Sequence, residues 1–108
     1  RVAGARLSDV MGRDALQIFY EVTSTSGRYA VQTLVFDATG IDLPGSRYPG
    51  ADGELLIDEY RGYQLVAMRS KSGLAYLFTS SDLPRDQMID LVVNSNLVTR
   101  VQEHWHQR

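Results

Sequence analysis

Hydrophobic and polar residues alternate most regularly over residues 15–22, Ala-Leu-Gln-Ile-Phe-Tyr-Glu-Val. Leu16, Ile18, Tyr20 and Val22 fall on one face, and Gln17, Phe19 and Glu21 on the other. Period-2 alternation of β-favouring residues predicts a half-buried strand. Residues 28–37 predict the next one, and the Ser/Thr-rich stretch Thr23–Gly27 between them is a turn signal. Together they read as a hairpin with a loop of four or five residues. A short strand over 5–11 precedes it, where Leu7 stands apart from Val10 and Met11. Further on, residues 63–69 and 74–80 form a second hairpin around the turn Lys71-Ser72-Gly73.

Between the hairpins the pattern breaks. Gly40, Pro44, Gly45, Pro49, Gly50 and Gly53 interrupt any period, so residues 38–58 read as a long loop. Leu55–Ile57 is at most a short strand or turn inside it. After the second hairpin, Ser81-Asp82-Leu83-Pro84 reads as a helix start, since proline is favoured in a first turn that does not need its N–H. Asp82 and Asp86 sit near the positive end of that helix's dipole. Met88, Ile89, Val92 and Val93 give the apolar stripe. Asn94-Ser95-Asn96 weakens the helix; Leu97, Val98, Val101 and Trp105 either continue it or begin a second short one, so 94–108 is a tail or helix extension. The expected fold is α+β: one domain over 1–108, an antiparallel sheet of about five strands, and a C-terminal helix packed on one face.

Composition narrows the chemistry. The chain has 108 residues, and a chain of this length buries roughly two-thirds of its unfolded surface, enough for one modest core. It has no cysteine, which removes disulfides, thiolate catalysis and Cys-based zinc sites. Net charge is −2, and the basic residues, almost all arginine with Lys71 the one lysine, are scattered among carboxylates. No basic stripe follows a phosphate backbone, so nucleic acid is not an expected partner. No run of 18 or more apolar residues is present, so the chain is not expected to span a membrane, and no signal peptide is visible. The first residue is Arg1, not methionine, and the chain is expected to be a piece of a longer protein.

Candidate sites are sparse. His104 and His106 are two residues apart, which on a helix turns them to different sides, and a solvated tail is favoured over a metal site. A Ser-His-Asp triad would depend on those tail histidines, and no G-x-S-x-G elbow appears. Asp52, Glu54, Asp58 and Glu59 do not follow the EF-hand spacing and read as a solvated acidic cluster. The glycines form neither G-x-G-x-x-G nor a P-loop. No catalytic, metal or cofactor residue is assigned, and an enzyme is not expected. Arg47, Tyr48, Tyr60, Arg61 and Tyr63 are the residues chosen as partner-binding, because Tyr and Arg are over-represented in binding hot spots. Their competing role, and the favoured one, is packing at strand ends with the hydroxyls wet.

The stretch from Tyr60 to Leu91, YRGYQLVAMRSKSGLAYLFTSSDLPRDQMIDL, resembles the outer part of membrane-anchored anti-sigma factors, the regulators of extracytoplasmic-function sigma factors. In that group a pattern GYxVxxWxxxGxxYxxVSDLxxxEL recurs. Gly62, Tyr63, Gly73, Tyr76, Ser81, Asp82 and Leu83 match it, and Met88 to Leu91 fall where the apolar face of the family helix lies. Upstream, Ala5-Arg6-Leu7 and Asp14 to Tyr20 resemble the family's first hairpin. Met68 stands near where a tryptophan is common, and the middle loop and the tail after Asn94 depart from the pattern. The matched residues are turn glycines, strand aromatics and a helix start, so the resemblance transfers no catalytic residue.

The resemblance implies a non-enzymatic sensor or regulatory domain, periplasmic or otherwise on the outer face, anchored by a transmembrane segment outside these residues. Its expected partners are a regulatory protein or a protease. The sigma factor would be held by a separate N-terminal domain. The loop 38–58 and the tail 94–108 would be the cleavage sites. An exported domain binding a small ligand or lipid on the helix-free sheet face, near Tyr60 and Tyr63, is the second expectation. Homodimerisation by strand addition is the third.

Overall fold

A computed structural model describes residues 2–43, 45–48 and 54–107. Seven strands, β1 (Val2–Val10), β2 (Arg13–Ser24), β3 (Gly27–Asp37), β4 (Ser46–Arg47), β5 (Glu54–Tyr60), β6 (Tyr63–Arg69) and β7 (Leu74–Ser80), precede two helices, α1 (Arg85–Asn94) and α2 (Leu97–Gln107). The α+β class is as expected, but the sheet has seven strands, not five. Both additional strands, β4 and β5, lie in or run out of the stretch 38–58 read as a loop.

All strands form one antiparallel sheet in the order β1-β2-β3-β7-β6-β5-β4. β1 to β3 is one meander. The chain then crosses to the far edge, and β4 to β7 returns as a second meander whose last strand pairs with β3. Two of the turns are built alike. Met11-Gly12 and Arg61-Gly62 are two-residue turns in which both residues have positive φ (52° and 81°; 51° and 84°). That conformation matches the twist of the strands it joins, and glycine takes its second place without strain. The β2–β3 hairpin is also closed by two residues, since Ser24 pairs with Gly27, so its loop is shorter than expected.

Alternation sends Leu16, Ile18, Tyr20, Val31, Val35, Val66, Tyr76 and Phe78 to one face. The helices cover that face with Met88, Ile89 and Val92 of α1 and Leu97, Val101 and Trp105 of α2. Asn94-Ser95-Asn96 separates the helices: Ser95 Oγ bonds back to Leu91 O and accepts the Leu97 N–H at 3.2 Å. The stretch after Asn94 is therefore a second helix, with one face buried through Leu97, Val101 and Trp105. The opposite face is covered in part by residues 38–43, where Ala38, Ile41 and Leu43 pack on Ala15, Phe36 and Ala75. Arg69 clamps this segment by donating to Ala38 O (3.1 Å) and to Ile41 O, while its Nε lies 3.1 Å from Glu54 Oε2 as an ion contact.

Candidate functional site

The turn between β5 and β6 positions three of the five chosen side chains. Tyr60 and Tyr63 close it as a cross-strand pair. Opposed residues of antiparallel strands share a face, and here it is the face without helices. Both rings are exposed, Tyr60 by 66% and Tyr63 by 52%. The Arg61 guanidinium carbon lies 5.2 Å from the Tyr60 ring centroid. A cation–π contact at such an exposed place is worth about 0.5–1 kcal/mol, enough to order the side chain but not the fold.

Tyr63 also stands at the mouth of a groove of about 420 Å³ at that end of the sheet. β3 forms its floor because its first residues run past the end of β7, whose pairing with β3 stops at Gln32–Thr79. Glu21 and Arg28 flank the floor. Where β7 ends, side chains replace the missing strand. Asp82 Oδ2 accepts the Ala30 N–H at 3.4 Å, and Ser80 Oγ lies 2.7 Å from both Ala30 O and Asp82 Oδ1. The single Ser80 proton serves one of these oxygens at a time. The same oxygen accepts the Leu83 N–H at 3.1 Å, which turns the chain toward α1. Leu83 itself is buried in the core.

Arg47 and Tyr48 are not part of this cluster. Arg47 pairs with Leu56, and the Tyr48 N–H donates to Leu55 O at 2.8 Å. Leu55 is five residue steps along β5 from Tyr60, roughly 17 Å of extended chain. Tyr48 also packs against the helix-covered core, the opposite side of the sheet from Tyr60 and Tyr63.

The residues of the family resemblance occupy structural positions. Gly62 is the second residue of the β5–β6 turn, with φ 84°. Gly73 ends the β6–β7 turn with φ 90°, and its N–H donates to Ser70 O. Tyr76 is buried, stacks on Phe78 with centroids 6.5 Å apart, and bonds Gln102 of α2. Ser81 is exposed. The hydroxyl that organises this joint is that of Ser80, which sequence reasoning missed. Its signal was the Ser–Leu spacing of three ahead of Pro84, the pattern of a serine that accepts a nearby backbone N–H. Pro84 is the N-cap of α1, with no side-chain cap bond.

The acidic cluster is divided by the fold. Glu54 and Asp58 face one side of β5, Glu59 the other, and Asp52 lies outside the described residues. Among the described residues, no three His, Cys, Asp or Glu side chains are grouped to hold a metal ion. His104 and His106 lie in the last turn of α2. Among the described residues, no helix is long and apolar enough to cross a membrane. Comparison of the chain with protein families, curated proteins and solved structures gives no match.

Proposed function

We propose that this domain is the outer regulatory part of a membrane-anchored anti-sigma factor and that it works by binding protein, not by catalysis. The observation that carries this reading is the Tyr60–Arg61–Tyr63 cluster. It is exposed, set on a rigid two-residue turn, and of the composition that dominates protein-binding hot spots. The cluster opens the stretch that resembles the anti-sigma family, and this stretch folds as one continuous unit of turn, hairpin and helix. Anchor and sigma-binding part would come from other segments of the parent protein.

In this mechanism a partner seated on the cluster and the neighbouring groove holds the domain folded. Release of the partner lowers local stability and admits a protease to the parent chain. The test uses the parent protein in its own membrane. A Tyr60→Ala/Tyr63→Ala double variant is followed by a sigma-dependent reporter and by the sigma factor that co-purifies with the detergent-extracted parent. The expected result is an altered reporter response with domain stability lowered by no more than about 2 kcal/mol, the loss of one cross-strand pair and one exposed cation–π contact. Absence of any co-purifying sigma factor overturns the proposal. An unaltered reporter removes the cluster from it.

A further inference from the structure

β1 is the exposed edge of the sheet. Among the described residues it pairs with β2 alone, and the opposite edge, β4, is only two residues long. Sheet edges of this length are usually guarded by lysine, proline or a bulge along the strand. β1 has nine residues, no lysine and no proline, and its one irregularity lies between Val2 and Gly4, at its start. Its two charged residues, Arg6 and Asp9, are exposed, but each is engaged with its own chain. Arg6 Nε donates to Gln17 Oε1 at 2.6 Å and its guanidinium lies 5.8 Å from the Phe19 ring centroid, both on β2. Asp9 Oδ2 accepts the Gly12 N–H at 3.3 Å in the adjoining turn. Leu7, in the middle of the strand, is 71% exposed, and Met11, in the turn that follows the strand, 76%.

The register fixes which backbone groups are free. The two-residue turn closes with the pair Val10–Arg13, so Val10, Ser8 and Arg6 direct N–H and C=O toward β2. Asp9, Leu7 and Ala5 direct theirs outward. We propose that this edge is a self-association surface: two copies of the chain pair their β1 strands antiparallel about a two-fold axis at Leu7, continuing the sheet from one copy into the other.

A two-fold axis normal to the sheet keeps the faces in common, so only residues of the same parity can oppose each other. Centred on Leu7, the outward groups meet as hydrogen-bonded pairs: Leu7 with Leu7, and Ala5 with Asp9 on either side. The two exposed leucines bury each other, and Arg6 opposes Ser8. Centring on Arg6 instead would oppose two arginines. Centring on Ser8 would set Leu7 against Asp9. The main contacts of the helices with the sheet fall on β6 and β3, not on β1.

The test is sedimentation equilibrium of the 108-residue chain from micromolar to millimolar concentration. The mass is expected to rise from 12.1 kDa toward twice that value. Leu7→Lys is expected to weaken association by at least about tenfold, the effect of a loss of some 1.4 kcal/mol, with the melting temperature retained. A second readout does not depend on that variant. The chain has no cysteine, so Leu7→Cys reports on the two-fold directly: it is expected to cross-link to its own copy through a short bis-maleimide. Val93→Cys, exposed by 51% on α1, is expected not to. A strict monomer over the whole range overturns the proposal. So does a dimer that Leu7→Lys leaves intact, or equal cross-linking at the two positions.

Discussion

Tyr20 and Tyr76 are two buried phenols on the same sheet face. Among the described residues, the Tyr20 hydroxyl has no hydrogen-bond partner, while Tyr76 bonds Gln102. Burial raises the pKa of both; Arg100 offsets this at Tyr20 and Glu103 adds to it, and the Gln102 bond offsets it at Tyr76. At neutral pH, Tyr20→Phe should be neutral or stabilising by up to about 1 kcal/mol, whereas Tyr76→Phe should cost about 0.5–1.5 kcal/mol, measured by urea unfolding. Because the folded pKa values are raised, the stability that depends on the neutral phenols is full below the unfolded value of about 10. It is lost as pH rises through the raised folded values, and Tyr20→Phe should flatten that alkaline fall. Gly73 supplies a second contrast. A Cβ there would lie 2.6 Å from Thr39 Oγ1, on a backbone at φ 90°. Thr39 Oγ1 donates to Asp37 Oδ1 at 2.7 Å, and this bond leads the lowering of the Asp37 pKa. Gly73→Ala should cost at least about 1–2 kcal/mol from the left-handed backbone alone. It should also bring the Asp37 carboxyl back toward its ordinary range in an NMR titration. The depressed value means that the stability from Asp37 is present above its unfolded pKa and lost as pH falls through the folded one.

Elements differ in how openly the sequence announces them. β2 and β3 alternate cleanly because one face is buried under the helices and the other only in part. β5 does not: Leu55 and Ile57 join the helix-covered core while Leu56 is buried on the other face, so three apolar residues run together and the period vanishes. β4 is too short to carry a pattern. The apolar residues of α2, Leu97, Val101 and Trp105, recur every four and were legible as a helical stripe; the polar Asn-Ser-Asn break left open whether they continued α1. The site shows the same division. Tyr60 and Tyr63 meet through a two-residue turn, which Tyr-Arg-Gly-Tyr encodes locally. Arg47 and Tyr48 reach β5 by a crossing whose register no local pattern sets, and that crossing places them elsewhere. The pairing of β5 and the burial of α2 also shift the expected cleavage sites. Limited proteolysis should cut first between Asp37 and Glu54, leaving the β6–β7 hairpin and α2 intact in the mass spectrum. A first cut in α2 would contradict the packing of Trp105.

The whole molecule is a sheet with one face closed by helices, the other partly closed by the segment held by Arg69, and an exposed cluster where β5 turns into β6. That cluster lies beside the groove that Ser80 and Asp82 border. A regulatory role on the outer face of a membrane requires two things of the native protein: attachment to that membrane, and exposure of this domain outside it. Both are read in one experiment, with an antibody to these residues, from the mass and membrane partition of the native species and its digestion by protease added to intact spheroplasts. A membrane-bound species larger than 12.1 kDa that loses this domain to external protease is the predicted result. A soluble species of about this size, or a domain protected until the cells are opened, would contradict the account.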